Sequence, residues 1–209
     1  MVLAGFGAIS LATLSPAALT RQAAEDTQIR DPRARRSMLS LHEAMLKLIE
    51  TRPFDEITVD DITAQARVGR STFYRHFATK EELTESIAKV EIDRLVDLTF
   101  PLLRQDGSSA SCLALAGYVH EHRRLWKVLV NGGASRVMRE TFVKKSSTRG
   151  VSTLELPPLD IPVNLAAAFG VAAVFEVLSW WLAQSDPAPV DIVADYLDRL
   201  AVRPVVPDR

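Results

Sequence analysis

The sequence has very little cysteine: Cys112 is the single one in 209 residues. An internal disulfide is therefore excluded, and this usage is typical of a reducing cytosol. Histidine is also sparse, and no Cys/His cluster has the spacing of a zinc site, so we predict no metal and no other cofactor. No acid, base and nucleophile stand together in a recognisable pattern, so the chain is not expected to be an enzyme.

A net charge of one sign is absent as well, since 25 Lys and Arg face 26 Asp and Glu. This balance argues against a protein that coats nucleic acid with its whole surface. The charge is nevertheless unevenly spread. Residues 67–80 hold four basic and no acidic side chains, whereas residues 155–209 hold eight acidic and three basic ones. A local basic segment in a neutral chain is compatible with a small, site-specific nucleic-acid contact.

Long hydrophobic runs are limited to two segments. Residues 1–14 are apolar, but they carry no basic residue and are too short to span a bilayer, so we expect residues 1–32 to be a flexible extension. Residues 162–184 are longer, yet Asn164, Glu176 and Gln184 interrupt them and no basic flank follows. We therefore predict a buried helix here and no membrane association, with Glu176 as a buried interface group.

The hydrophobic periodicity predicts an all-α chain. Thr58 and Thr79 each precede an acidic residue by three positions, which is the pattern of a helix N-terminus. We expect a DNA-binding domain over 33–79, a helical ligand-binding and dimerisation domain over 80–203, and a tail over 204–209. The predicted helices cover about 33–52, 59–66, 70–76, 80–103, 110–131, 134–146, 162–184 and 190–202.

The most informative stretch is residues 58–83, where two short helices are separated by three residues, as in a helix-turn-helix. Ile62, Phe73 and Phe77, with Ala66 and Val68, can pack the inside of that corner. A helix this short and polar would be unstable alone, but its open face suits phosphates and base edges in a major groove. Every outward position of the second helix can donate hydrogen bonds: Arg70, Ser71, Thr72, Tyr74, Arg75 and His76.

The segment Val68-Gly-Arg-Ser-Thr-Phe-Tyr-Arg-His-Phe77, followed by Lys80-Glu-Glu-Leu83, resembles the signature of tetracycline-repressor-like (TetR) regulators. The resemblance covers about residues 35–85. It implies an N-terminal three-helix helix-turn-helix domain joined by a long helix to a C-terminal helical domain. It also implies a cytoplasmic homodimer that acts as a ligand-responsive repressor on a palindromic operator of double-stranded DNA.

The resemblance further implies roles for individual residues. Thr72, Tyr74, His76 and Lys80 stand where the family contacts phosphates, whereas Arg70, Ser71 and Arg75 stand where side chains reach bases; Thr58 completes the predicted DNA-binding set. Three positions depart from the family pattern. Arg67 stands where glycine is usual, so a positive φ there would strain the backbone. Gly69 replaces a better helix cap, and Asp60 replaces a residue that is often basic, so that one backbone contact would be lost.

The C-terminal half gives weaker signals. We predict a ligand pocket lined by aromatic side chains, although aromatics at helical spacing also form ordinary cores: Tyr118, Trp126, Phe142, Phe169 and Phe175. Residues 162–184 and 190–202 are expected to pair with a second copy in a four-helix bundle. The predicted interface consists of Ala168, Ala172, Phe175, Leu178, Trp181, Ile192 and Tyr196.

Two groups of basic residues leave alternatives open. The arm Arg30, Arg33, Arg35 and Arg36 could reach a neighbouring groove or be a solvated tail. The basic run from Arg123 to Arg149 could be a charged outer face or a surface for an anionic ligand or partner. The alternatives to a ligand-responsive repressor are therefore the same fold gated by a protein partner, or an activator.

Overall fold

A computed structural model describes residues 31–153 and 161–206 of the chain. The predicted extension up to residue 30, the connection around 157–158 and the end of the tail lie outside the described residues. Within those two ranges the protein consists of helices and contains no strand, which confirms the all-α prediction. The helices are α1 Pro32–Thr51, α2 Val59–Ala66, α3 Arg70–His76, α4 Lys80–Gln105, α5 Ser108–Glu121, α6 Arg123–Asn131, α7 Ser135–Thr153, α8 Val163–Ala183 and α9 Val190–Leu197.

Helices α1 to α3 form an N-terminal head. α1 begins where the Asp31 carboxylate accepts a hydrogen bond from the backbone N–H of Arg33 at 2.9 Å, with proline in the first helical position. Its buried stripe includes Met38, Leu41 and Met45, at most 5% exposed. After α1 the chain turns at Pro53 into the 3-10 turn Phe54–Glu56, and the short α2 and α3 pack on this stripe.

The 26-residue α4 belongs to both halves of the molecule. Its N-terminal part buries Leu83 and Ile87, and its C-terminal part buries Ile92, Leu95 and Val96. α5 and α7 pack along α4, α9 packs on α5, and α8 packs on both α6 and α7. α9 continues as a π-helical turn, Asp198–Val202. Because one rigid helix connects the head to the C-terminal domain, a shift of its far end would move the head.

The predicted helix 110–131 is wrong as a single element, because the chain breaks at His122 between α5 and α6. His122 has φ −110° and ψ 33°, and its ring Nδ1 lies 3.0 Å from the carbonyl oxygen of Tyr118. The two rings are also in contact, with centroids 4.5 Å apart and an interplanar angle of 33°. The break follows from a side-chain contact rather than from glycine or proline, so the sequence pattern does not show it.

One helix of the described ranges, α8, is long and apolar enough to cross a bilayer by length and composition, with a mean hydropathy of 1.8. Core helices of soluble proteins have the same composition. α8 buries Phe175, Leu178 and Trp181 in the core of its own chain, while Leu165 and Phe169 are 57% and 58% exposed. The prediction of a buried helix is therefore correct for one face of α8 only.

Candidate nucleic-acid interface

The turn between α2 and α3 has the backbone that its sequence predicts. Arg67 adopts the left-handed conformation, with φ 55° and ψ 43°, as expected for a position usually occupied by glycine. The Val68 N–H donates to the carbonyl of Thr63 at 3.0 Å, which closes the end of α2. Gly69 then caps α3 without a side-chain bond. The turn sets the angle at which α3 leaves α2, at a strain cost of about 1–2 kcal/mol.

Thr58 starts α2 with a complete capping box. Its hydroxyl accepts from the Asp61 N–H at 3.2 Å, and the Asp61 carboxylate accepts from the Thr58 N–H at 2.9 Å. Hydrogen bonds from the Thr58 hydroxyl and N–H lower the pKa of Asp61 to about 2. Thr58 thus has a local structural role, and a DNA contact by Thr58 stays a prediction.

α3 presents a continuous open face. Phe73 is fully buried and Phe77 is 6% exposed, so both anchor the helix in the head as predicted. The opposite side leaves Tyr74 55% exposed and also exposes Arg70, Ser71 and Arg75, while Thr72 is half-buried. Four of the predicted DNA-contacting side chains therefore share one accessible surface rich in hydrogen-bond donors.

Arg70 does not point freely into solvent, because Asp60 of α2 holds it. Its Nε lies 2.6 Å from Asp60 Oδ1 and its Nη2 lies 2.9 Å from Asp60 Oδ2. Both side chains are 64% exposed. The sequence indicated Asp60 as the site of a lost backbone contact, whereas the structure shows it as the partner of a predicted base-reading arginine.

The predicted phosphate contact of Lys80 is not supported by its surroundings. Its ammonium group donates to the carbonyl oxygens of Phe54 at 2.9 Å, Asp55 at 3.3 Å and Ile57 at 2.8 Å. It also lies 4.6 Å from the centroid of the Phe54 ring. An ammonium group has three N–H donors, and all three are used here. Lys80 thus joins the start of α4 to the turn after α1.

His76 also departs from its predicted role. The Ser37 hydroxyl donates to the Ala34 carbonyl at 2.9 Å, so it accepts from His76 Nε2–H at 2.8 Å. Burial, followed by the charge of Arg75, lowers the pKa of His76 below its usual 6.5, which keeps the ring neutral at pH 7. A neutral ring with its one N–H used by Ser37 has no donor left for a phosphate. His76 therefore links α3 to α1.

The contact between His76 and Ser37 brings the N-terminal turn of α1 next to the end of α3. Arg33 and Arg36 are exposed in that turn. They add positive charge beside the open face of α3, and a groove contact by the arm stays a prediction. Arg30 lies outside the described residues.

One of the five aromatic residues predicted to line a ligand pocket lines a cavity of the structure. The C-terminal domain contains an apolar cavity of about 130 Å³ between α4, α5, α7, α8 and the π-helical turn, and Phe142 is the one predicted residue that lines it. Trp126, Tyr118 and Phe175 are 0–2% exposed and fill the core, whereas Phe169 is on the surface. Thr99, Ser111, Cys112 and Ser146 are the polar residues of the cavity wall.

Tyr118 has instead a partner that the sequence did not reveal. Its hydroxyl donates to the buried Glu91 carboxylate at 2.6 Å, and Arg94 donates to the other oxygen of that group at 3.0 Å. Glu91 is 1% exposed, and burial of the phenol, followed by the charge of Glu91, raises the pKa of Tyr118. Glu91 lies on the buried side of α4 among apolar residues. Its role is therefore identified only by its contacts with Tyr118 and Arg94 in the tertiary structure.

The predicted dimer interface needs a correction as well. Phe175, Leu178 and Trp181 are at most 1% exposed, and the Trp181 indole N–H donates to Ala188 within the same chain at 2.8 Å. A second copy could not reach them. The exposed apolar stripe consists instead of Leu165, Phe169, Ala172 and Trp180 on α8, with Ile192, Tyr196 and Leu200 alongside. Ala168 is half-buried at its edge.

Glu176 lies within this exposed stripe, contrary to the prediction of a buried group. Its side chain is 74% exposed and pairs with Arg139 at 3.0 Å. The periodicity of an almost wholly apolar helix does not distinguish its two faces, which explains these errors.

The basic run after Arg123 is largely engaged within the chain. Arg123 donates to the carbonyls of Trp181 at 2.9 Å and Gln184 at 3.2 Å, at the end of α8. Arg124 donates to the carbonyl of Glu50 at the end of α1. The neighbouring residues Arg123 and Arg124 of α6 thus bind the C-terminal ends of two helices, α8 in the C-terminal domain and α1 in the head. Lys145 pairs with Asp93.

No group of three or more metal-ligating side chains is present among the described residues.

The fold and the open face of α3 define the class of this protein: it has a helix-turn-helix head on an all-α body. Residues 41–87 match the family model described as bacterial regulatory proteins, tetR family.

A curated relative, the uncharacterized HTH-type transcriptional regulator YxbF of Bacillus subtilis (strain 168), is 34% identical over 68 residues, which cover 32% of this chain and 18% of the relative. The HTH-type transcriptional regulator EthR of Mycolicibacterium smegmatis is 36% identical over 76 residues, covering 32% of this chain and 35% of the relative.

The similarity in fold extends further than the similarity in sequence. The crystal structure of a TetR transcriptional regulator from Streptococcus agalactiae 2603V superposes with a TM-score of 0.54 and 20% identity, covering 90% of this chain and 99% of that one. The matches to the two curated relatives each span well under two thirds of the relative's length. The match of residues 41–87 to the tetR family model and the similarity in fold of the whole described chain together support a TetR-family regulator.

Proposed function

We propose that this protein is a cytoplasmic transcriptional regulator that binds a near-palindromic operator as a homodimer and acts as a ligand-responsive repressor. The observation that carries the proposal is the exposed donor face of α3, held in a fixed orientation by the left-handed Arg67 and by buried Phe73 and Phe77. α3 would enter the major groove, where Arg70, Ser71 and Arg75 reach base edges. Thr72 and Tyr74 would contact phosphates.

A homodimer is supported by the exposed stripe on α8 and α9. Phe169 and Leu200 are each 58% exposed and Trp180 is 47% exposed, so large apolar side chains lie side by side on the surface. Exposed apolar patches of this kind mark interaction sites. Two copies that join these stripes would form a four-helix bundle and present two heads, which suits half-sites about 34–36 Å apart or more.

A ligand response is supported by the apolar cavity of about 130 Å³. A dry cavity of about this size in another protein accommodates benzene, so we infer a small, uncharged and mainly apolar ligand. The cavity wall includes Thr99 and Phe100 of α4, the helix that leads to the head. A ligand that displaces this wall would change the separation of the two heads and lower the affinity for DNA.

Two alternatives keep the same fold. Gating by a protein partner on the basic run is disfavoured because Arg123, Arg139 and Lys145 already have partners within the chain. An activator would use the same head geometry. Expression of a reporter gene placed behind the selected operator distinguishes the two signs of regulation, since a repressor lowers the signal and an activator raises it.

The test is selection of bound sequences from random double-stranded DNA, followed by binding of Arg75→Ala to the selected site. We expect a palindromic consensus and a loss of preference at one or two positions in each half-site. Arg136→Ala is the matched control, because Arg136 is an exposed arginine of α7 that is paired with Glu140 and does not belong to the helix-turn-helix. A protein that enriches no sequence, or an Arg75→Ala variant with unchanged preference, would contradict the assignment of α3 as the reading helix.

Phe169→Lys tests the dimer interface, because Phe169 lies on the exposed stripe and adding a charge there should not disturb the core. We expect a shift to monomer in sedimentation and loss of operator binding with an unchanged circular dichroism spectrum. A dimer of unchanged stability would exclude this face as the interface.

A further inference from the structure

We propose that Asp60 is a positioning residue for DNA specificity: it holds the Arg70 guanidinium so that Arg70 reads a guanine in each half-site. The inference rests on the proposed function, because it assumes that α3 enters the major groove. It goes beyond that function by naming the base that is read and the acidic residue that fixes the reader.

The geometry of the pair leaves one edge of the guanidinium free. Arg70 contacts Asp60 through Nε at 2.6 Å and Nη2 at 2.9 Å, so the carboxylate takes the side edge of the group. The remaining donors are both N–H groups of Nη1 and the second N–H of Nη2. Two parallel donors at the end of the guanidinium match the O6 and N7 acceptors of guanine in the major groove. No other base presents this pair of acceptors there.

Asp60 is itself held firmly. It is the second residue of α2, where the helix dipole favours a carboxylate. Its backbone carbonyl accepts from the Thr63 hydroxyl at 3.1 Å. Since the left-handed turn at Arg67 fixes α2 relative to α3, Asp60 and Arg70 meet across a rigid corner. Holding a flexible side chain in place before binding reduces the conformational entropy that is lost on contact.

A purely stabilising role explains the pair poorly. Both side chains are 64% exposed, and exposed ion pairs contribute little to folding. A carboxylate beside this face also repels DNA phosphates, which costs affinity for every sequence. Residues 67–80, the segment that includes α3, contain four basic and no acidic side chains. A positioning role explains why the Asp60 carboxylate of α2 nevertheless contacts this face.

The experiment compares base preference at each position of the selected operator for wild type, Arg70→Ala, Arg70→Lys and Asp60→Asn. Arg70→Ala should lose the preference for guanine at one position by roughly 5- to 150-fold, the range of one good bidentate contact. Arg70→Lys should recover little of it, since an ammonium group lacks the parallel donor pair. Asp60→Asn should weaken the preference at that same position by about 1.5- to 5-fold, the range expected of an exposed pair.

Glu43→Gln is the matched control, because Glu43 is an exposed acidic residue of α1 whose replacement changes the net charge equally. It should strengthen binding to all sequences alike and leave every base preference unchanged. Thermal unfolding of each variant checks that the head stays folded.

The possible outcomes separate the inference from the function on which it rests. If wild type enriches no consensus, the proposed function fails. If wild type enriches a consensus but Arg70→Ala leaves guanine preference intact, Arg70 is not the reader and the inference is wrong. It is also wrong if Asp60→Asn leaves the preference at that position unchanged or sharpens it, since a sharper preference would mean that Asp60 withholds Arg70 from DNA.

Discussion

Replacing Lys80 distinguishes a structural contact from a DNA contact at the start of α4. Lys80→Met keeps the length of the side chain and its packing on Phe54, but it removes three hydrogen bonds to the carbonyls of Phe54, Asp55 and Ile57. A hydrogen bond to a charged group contributes about 1.5–3 kcal/mol. These three share one donor group, and water can reach part of the site, so we expect a total loss of about 2–3 kcal/mol in the free energy of unfolding.

For a chain of this size, that loss corresponds to a fall in Tm of about 5–10 °C. The fall is measured by thermal unfolding monitored by circular dichroism, with all samples at one protein concentration because a dimer is more stable when concentrated. Lys47→Met is the matched control, since Lys47 is an exposed lysine of α1, and its Tm should change by less than about 2 °C.

DNA binding by the same variant provides the second measurement. A phosphate contact contributes about 0.9 to the slope of log affinity against log salt concentration, and its loss lowers that slope. With Lys80 occupied by backbone carbonyls, the slope for Lys80→Met should equal that of wild type under conditions where both are folded. A slope reduced by about one per head, together with an unchanged Tm, would refute the structural role and restore the phosphate contact.

Three further predictions follow from buried groups. Burial, followed by the charge of His76, lowers the pKa of His42 to about 4. As the pH falls, the unfolded chain therefore binds a proton at His42 before the folded protein does. The part of the free energy of unfolding that is linked to this proton, about 3 kcal/mol, is complete above pH 6.5 and is lost between pH 6.5 and 4. His42→Gln should flatten this part of the stability profile in urea titrations, and an unchanged profile would contradict the assignment. Burial raises the pKa of Cys112 to about 12, so iodoacetamide should modify the thiol only after denaturation; rapid labelling of the native protein would show that the cavity opens. Phe175→Ala should destabilise the protein by about 3–5 kcal/mol in denaturant titrations, because Phe175 fills the core of its own chain. A variant that changes only the dimer affinity would instead indicate that Phe175 lies in the dimer interface.

Local signals in the sequence were sufficient to predict the helices, the turn and the buried corner of the head. The spacing of Ile62, Phe73 and Phe77, the polar outer side of residues 70–76 and the need for a positive φ at Arg67 are all properties of neighbours within a few turns. Since such contacts are made inside one or two short elements, the pattern predicts them directly. The all-α class and the bounds of the second and third helices follow from the same kind of evidence.

The partners of polar side chains could not be predicted in this way. Lys80 meets the turn at residues 54–57, His76 meets Ser37, and Asp60 meets Arg70 across a corner. Each of these pairs joins residues 10 to 39 positions apart, and their distance depends on how helices cross. The residue types alone were compatible with DNA contacts. Only the tertiary structure shows that the donors of Lys80 and His76 already have hydrogen-bond partners within the chain.

The sequence by itself therefore determined the all-α class, the two short helices of the helix-turn-helix and the basic outer face of α3, because helical periodicity and turn chemistry are local. Tertiary structure decided which face of the apolar α8 is buried, where the cavity lies, and which charged groups of the head remain free. Phe169 and Phe175 show the difference: six positions apart on one helix, they are 58% and 1% exposed. A helix that is apolar on all sides carries no signal for its orientation, so its neighbours alone determine which side is covered.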